Sequence, residues 1–196
     1  MILCIDSGNS RIKWGVHGAG RWLEGGIIEH GETDQLASLT FRLPPATRIL
    51  LANVAGDAAL ARIRQALADS RRELHEVKSV PAAGGVINLY EDPARLGVDR
   101  WCALLGARSL TSAPCVVVMA GTATTIDTLD GDGRFLGGFI LPGLDLMQRS
   151  LERNTAALPL AAGKYRAWPR CTDDAIASGC IEAQAGAIER AAGRLG

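Results

Sequence analysis

The feature that most constrains this chain is a pattern that occurs twice: apolar strand, polar glycine-bearing turn, strand, strand, helix. In the first copy Met1–Asp6 is an apolar run ending in Asp-Ser-Gly-Asn. Arg11–Val16 returns with Ile12, Trp14 and Val16 alternating onto one face, so the turn closes a hairpin. Gly26–Glu29 offers a third, shorter strand. Asp34–Leu39 reads as a helical stretch that Pro44-Pro45 ends, and Arg48–Asn53 as a buried-type strand. Asp57–Arg71 places Leu60, Ile63 and Leu67 on one side of a helix, and Leu74–Val77 can form a fifth strand. The order is βββαβαβ.

Pro81-Ala-Ala-Gly-Gly85 breaks the pattern and reads as a linker, dividing the chain into 1–80 and 81–196. Gly97–Leu110 then reads as a helix with Trp101, Leu104, Leu105 and Arg108 on one stripe. The opening pattern recurs as strand Cys115–Ala120, turn Gly121-Thr122, strand Thr124–Leu129, turn Asp130-Gly-Asp-Gly133 and strand Arg134–Ile140. Pro142-Gly143 leads into a helix through Met147 and Leu151. The last element, Asp173–Leu195, is an alanine-rich helix with Ile176, Ile181, Ile188 and Leu195 roughly on one face. No strand follows it, so the second copy is incomplete at its C-terminal end.

Charge and composition narrow the function classes. Lysine plus arginine (21) equals aspartate plus glutamate (21), which supplies no general cationic field for a nucleic-acid backbone or an anionic membrane. The longest apolar run, Cys115–Ala120, is far too short to span a bilayer. Ile2-Leu3-Cys4-Ile5 stops at Asp6 without a basic lead and does not read as a signal peptide. Five cysteines (Cys4, Cys102, Cys115, Cys171, Cys180), with no C-x-x-C, read as free thiols in a reducing cytoplasm. His17, His30 and His75 are scattered and suggest no structural metal site.

Three motifs carry candidate chemistry. Asp6-Ser7-Gly8-Asn9-Ser10, with Lys13 on the returning strand, exposes backbone N–H groups that can cradle phosphate oxygens. Asp6 could hold a magnesium ion through water, and Lys13 could neutralise developing phosphoryl charge. The same residues also suit an ordinary Asx-type hairpin turn. Gly121-Thr122, followed by Thr124, Thr125 and Asp127, is the repeat-equivalent turn, although β-branched threonines also simply favour strands. Two such hairpins can clamp a polyphosphate. Gly97-Val98-Asp99-Arg100 opens a helix; Asp99 could accept a substrate hydroxyl proton and Arg100 could meet an anion bidentately. The bland alternative has Asp99 complementing the helix N-terminus and Arg100 solvated. Thr172 reads as a helix cap with Asp173 and Asp174 in the first turn, and Trp101 and Met147 read as core. Walker A and G-x-G-x-x-G sequences are both absent.

Taken in order, these segments resemble the type III pantothenate kinase family of the acetate and sugar kinase/Hsp70/actin superfamily. The matching text is Asp6-Ser-Gly-Asn-Ser-Arg-Ile-Lys13, Tyr90, Leu96-Gly-Val-Asp-Arg100, Gly121-Thr-Ala-Thr-Thr-Ile-Asp127 and Gly137-Gly-Phe-Ile-Leu-Pro-Gly143. Ser150-Leu151, Thr155-Ala-Ala-Leu-Pro159 and Thr172 with Ser178-Gly179 extend it. The resemblance implies an α/β fold of duplicated actin-like (ribonuclease H-like) lobes, the second incomplete. It implies ATP- and magnesium-dependent phosphorylation of pantothenate at its terminal hydroxyl, the first step of coenzyme A synthesis. By that resemblance Asp6, Ser7, Gly8, Asn9, Ser10, Arg11, Ile12 and Lys13 form the first phosphate loop, Gly121 and Thr122 lie on the second, and Asp99 is the proton acceptor. Tyr90, Gly97, Val98, Asp99, Arg100 and Thr172 line the pantothenate pocket, Asp127 is a further site residue, and the protein is a cytoplasmic homodimer.

Two departures from the family pattern stand out. Met119 replaces an aspartate that the family associates with potassium or ammonium, and a thioether is a poor ligand for a hard cation, so no cation is expected through residue 119. The family also continues into a glycine-glycine-aspartate loop near the adenosine, which leaves the chain a fragment or a reduced member. Two other readings stay open: a noncatalytic regulatory protein on the same fold, and a kinase of another small hydroxylated substrate.

Overall fold

Alternating apolar residues build the first sheet. The structure, a computed structural model, describes residues 1–154 and 163–195. In β1 (Ile2–Ser7), Leu3, Ile5 and Ser7 are buried while Cys4 and Asp6 point to the opposite face. β2 (Ile12–Gly18) pairs antiparallel with β1, and β3 (Arg21–Ile28) pairs antiparallel with β2. β4 (Arg48–Asn53) and β5 (Leu74–Glu76) add in parallel, giving the order β3-β2-β1-β4-β5.

Helices α1 (Gln35–Arg42) and α2 (Asp57–Leu67) cover one face of this sheet. Leu36, Leu39, Ile63 and Leu67 join Leu3, Ile5, Ile12, Val16, Ile49 and Leu51 in a single buried cluster. Each such side chain contributes about 1.5–3 kcal/mol by leaving water. The cluster explains the βββαβαβ order, because the expected periodicities place these residues on the shared side.

The third strand begins at Arg21, well before the expected Gly26. It is an edge strand whose first residues are exposed, so no buried alternation marks it in the sequence. Glycine lets its neighbours lie flat. A Cβ at Gly26 would meet the Trp14 indole at 2.9 Å, and one at Gly15 would meet the Trp22 ring at 2.8 Å.

The chain divides into two compact units, Met1–Ser79 with Ala94–Cys102, and Val80–Pro93 with Ala103–Gly196. The division falls within α3 (Val98–Leu110). The second unit contains β6 (Ala82–Ala83), β7 (Val86–Asn88), β8 (Cys115–Ala120), β9 (Ala123–Leu129) and β10 (Arg134–Pro142) in the order β6-β7-β10-β9-β8. Here the linker reading fails. Gly84 and Gly85, at φ +55° and +78°, turn residues 82–88 into a hairpin, and β7 then pairs in parallel with β10.

β8 occupies the place in its strand–turn–strand–strand run that β1 occupies in the first. β1 lies between two strands, whereas β8 is an edge with β9 as its one described neighbour. Helices α4 (Leu144–Asn154) and α5 (Thr172–Ala192) pack through Met147, Leu151, Ile176 and Cys180. The cap position of α5 belongs to Cys171, whose backbone is extended, and Thr172 is already helical. That corrects the reading of Thr172 as the cap. The segment Thr155–Pro159 lies outside the described residues. Among those described, no helix is long and apolar enough to cross a membrane.

Candidate active site

In the first unit, the turn between β1 and β2 carries the expected residues 6–13. Asp6 and Lys13 face each other directly across the antiparallel pair. The turn closes with the Gly8 N–H donating to the Arg11 carbonyl at 3.2 Å, leaving Asn9, Ser10 and Arg11 exposed. Ser7 and Ile12 flank it with their side chains fully buried on the core side, so they meet a ligand through main chain if at all. The Ser7 hydroxyl has no hydrogen-bond partner among the described residues, and its carbonyl accepts from the Val54 N–H at 2.9 Å.

The start of α3 belongs to the same unit and brings Asp99 into electrostatic reach of Asp6. Burial pushes the Asp6 carboxyl above the usual carboxylate range; Lys13 opposes this and the Asp99 charge adds to it. The Asp99 Oδ1 accepts the Arg100 N–H at 2.8 Å, so this carboxylate complements the helix N-terminus as one alternative required. A Cβ on Gly97 would stand 2.7 Å from that same oxygen. Glycine is therefore what allows the carboxylate to fold back beside the helix start. Arg100 is 4% exposed, which overturns its reading as a solvated side chain.

A cavity of about 630 Å³ opens on the face of the first sheet away from its core. Asp6 and Lys13 stand at it together with Cys4, Trp22, Leu50 and Cys102. The Cys102 thiol is pushed up to about 11, by burial first and then by the charges of Asp6 and Asp99. It stays a neutral thiol in the physiological range and is no nucleophile. Cys4 and Cys102 beside the carboxylates escaped the sequence reading, as nothing in their spacing joins β1 to α3.

In the second unit, Gly121 and Thr122 form the exposed turn between β8 and β9. It is held from behind. The Gly121 N–H donates to the Ala123 carbonyl at 3.1 Å, and the Gly143 N–H donates to the Thr122 carbonyl at 2.9 Å. Gln184 on α5 donates to the Pro142 carbonyl at 2.7 Å, bracing the segment that carries Gly143. A Cβ at Gly143 would collide with the Gly121 carbonyl oxygen and reach within 2.8 Å of the Thr122 oxygen.

Asp127 is fully buried in the middle of β9, opposite Val117 on β8 and Gly138 on β10. Met119 stands opposite Thr125. The Tyr90 ring stacks on Phe135 with centroids 6.0 Å apart. Asn88 holds that segment, donating to the Val80 and Pro93 carbonyls and accepting the Tyr90 N–H at 3.1 Å. Thr172 lines a groove of about 640 Å³ with Met147, Leu151, Ile176 and Cys180. The expected site residues thus fall into two sets: Asp6–Lys13 and Gly97–Arg100 in the first unit, Tyr90, Gly121, Thr122, Asp127 and Thr172 in the second. No group of three His, Cys, Asp or Glu among the described residues is placed to hold a metal.

The sequence profile of type III pantothenate kinases matches residues 2–194. The chain belongs to the type III pantothenate kinase family. A type III pantothenate kinase of Dechloromonas aromatica is 60% identical over 195 residues, spanning 100% of this chain and 82% of that protein. One from Aromatoleum aromaticum is 50% identical over 190 residues, covering 97% of this chain and 78% of its own. Among solved structures, a Campylobacter jejuni protein assigned to the Baf family of transcriptional activators aligns with a TM-score of 0.62 at 24% identity, over 96% of this chain and 78% of that one. A Sinorhizobium meliloti protein assigned as a 2-dehydro-3-deoxygalactonokinase also gives 0.62, at 15% identity, over 98% and 81%. These two likenesses establish the fold, and the family membership establishes a kinase.

Proposed function

We propose that this chain transfers the γ-phosphoryl group of ATP to the terminal hydroxyl of pantothenate, opening coenzyme A synthesis. Membership of the type III pantothenate kinase family carries the reaction. The observation that supports the residue roles is the grouping of Asp6, Lys13 and Asp99, whose charges act on one another in the first unit.

Asp99 is the proton acceptor in this reading. Its backbone anchors at a helix start, and its carboxylate is fixed by the Arg100 N–H, so little reorganisation is needed as the substrate hydroxyl loses its proton. Arg100, Gly97, Val98, Tyr90 and Thr172 contact pantothenate, with a second copy of the chain completing a cytoplasmic homodimer. Lys13 and the N–H groups of the 6–13 turn meet phosphate oxygens, and Gly121 and Thr122 are assigned the same chemistry. Catalysis then rests mostly on positioning and charge stabilisation.

The donor set suits magnesium carried in with the nucleotide. Asp6 offers one half-buried carboxylate, a hard oxygen ligand that suits magnesium held largely through water. Bound there, the ion would neutralise phosphate charge. Met119 supplies no hard ligand for potassium or ammonium.

The test is pantothenate-dependent ADP release from ATP and magnesium, comparing this chain with Asp99→Asn. Loss of about 10²–10⁴-fold in kcat with ATP binding retained is the expected result. Equal rates in the two proteins would remove Asp99 from the role, and no activity in the unsubstituted chain would overturn the proposal.

A further inference from the structure

His30 is a residue that no motif singled out. It begins the short 3-10 turn His30–Glu32 that follows β3, 22 positions along the chain from Gly8. Its ring Nε2 lies 2.7 Å from the Gly8 carbonyl oxygen. A carbonyl oxygen only accepts, so Nε2 carries the hydrogen. The other ring nitrogen, Nδ1, is buried and has no partner among the described residues. The Gly8 carbonyl is thus the polar tie that orients this ring.

The consequence passes through a single peptide plane. Gly8 C=O and Asn9 N–H belong to the same planar unit, no peptide bond here is cis, and in a trans unit the two groups point in opposite directions. Holding the carbonyl on the His30 side therefore turns the Asn9 N–H away from His30, and Asn9 is exposed. The Gly8 N–H is committed to the Arg11 carbonyl. A carbonyl oxygen rotated outward instead would present negative charge to an anionic ligand.

We infer that His30 is a positioning residue for the first phosphate loop, aiming the Asn9 N–H at a nucleotide phosphate oxygen. This rests on the reading of the 6–13 turn as that loop. Gly8 has no Cβ to restrict its backbone, so an external restraint helps decide which way the peptide plane faces.

The experiment compares His30→Phe, which keeps a ring without the donor, with His30→Gln, whose amide nitrogen stands where Nε2 does. ATP binding is measured by calorimetry without pantothenate, and KM is measured for each substrate. His30→Phe is expected to weaken ATP binding and raise KM for ATP about tenfold, leaving KM for pantothenate unchanged. His30→Gln is expected to recover to within about threefold of the unsubstituted chain. Unchanged ATP binding in His30→Phe overturns the inference, and so does a His30→Gln as impaired as His30→Phe. If His30→Phe shows no cooperative melt, His30→Asn, whose donor is too short to reach Gly8, takes its place with the same expected loss. Should the unsubstituted chain bind ATP yet not phosphorylate pantothenate, the fault lies with the proposed substrate, and the calorimetry still decides the role of His30.

Discussion

Asp6 and Lys13 stand directly opposite one another on β1 and β2, and the Asp6 carboxyl is nevertheless harder to ionise than an ordinary aspartate. Burial outweighs the lysine, and Asp99 adds to the burial. If Asp6 takes part in phosphate and magnesium binding as proposed, its carboxylate is poorly compensated until those charges arrive.

The stability consequence follows from the sign of that shift. With the folded pKa above the unfolded one, the contribution of Asp6 to stability is fully present below the ordinary carboxylate range and is lost as pH rises through the raised value. At neutral pH the ionised form costs stability. Asp6→Asn is therefore expected to raise Tm by a few degrees at pH 7 while removing kinase activity, and to lose that advantage toward pH 3. Thermal melts across that range check it. An unchanged or lower Tm at pH 7 would mean the burial cost is already compensated.

Gly97→Ala tests how Asp99 is placed. The new methyl would stand 2.7 Å from the Asp99 oxygen, and the carboxylate must swing away from its bond to the Arg100 N–H. A displacement of this order costs about 10- to 100-fold in kcat for a positioned base. Tm should fall by much less than in a core truncation. Full activity in Gly97→Ala would show that Asp99 works from a different rotamer.

Gly143→Ala tests the bracing of the second turn. Its Cβ would drive into the Gly121 and Thr122 carbonyls, so the turn must move or the fold must give. The expected cost is about 1–3 kcal/mol of stability, with KM for ATP rising more than KM for pantothenate. Denaturant unfolding and steady-state kinetics separate the two effects.

Met119→Asp tests the cation reading. The unsubstituted chain is expected to run equally fast in potassium, ammonium or sodium salts of equal ionic strength, since its thioether is a poor ligand for each. Introducing the carboxylate should produce an acceleration by potassium over sodium. Potassium stimulation of the unsubstituted chain would refute the reading.

Period and turn chemistry alone determined the core of the first unit. Ile12, Trp14 and Val16 alternate on β2, and Leu60, Ile63 and Leu67 recur at helical spacing, because burial on one side imposes those periods within a few residues. The two glycine turns and the helix start at Gly97 were legible for the same local reason. Tertiary structure decided the rest. The hairpin at 82–88 is two short strands, too brief to carry a period, and becomes sheet only by pairing β7 with β10 more than forty residues away. That Gly143 backs Thr122, that His30 holds Gly8, and that Asp99 bears on Asp6 are likewise meetings of distant segments. Sequence spacing names the groups that can do phosphoryl chemistry; the packing of separate strands and helices sets which way their peptide planes and carboxylates face.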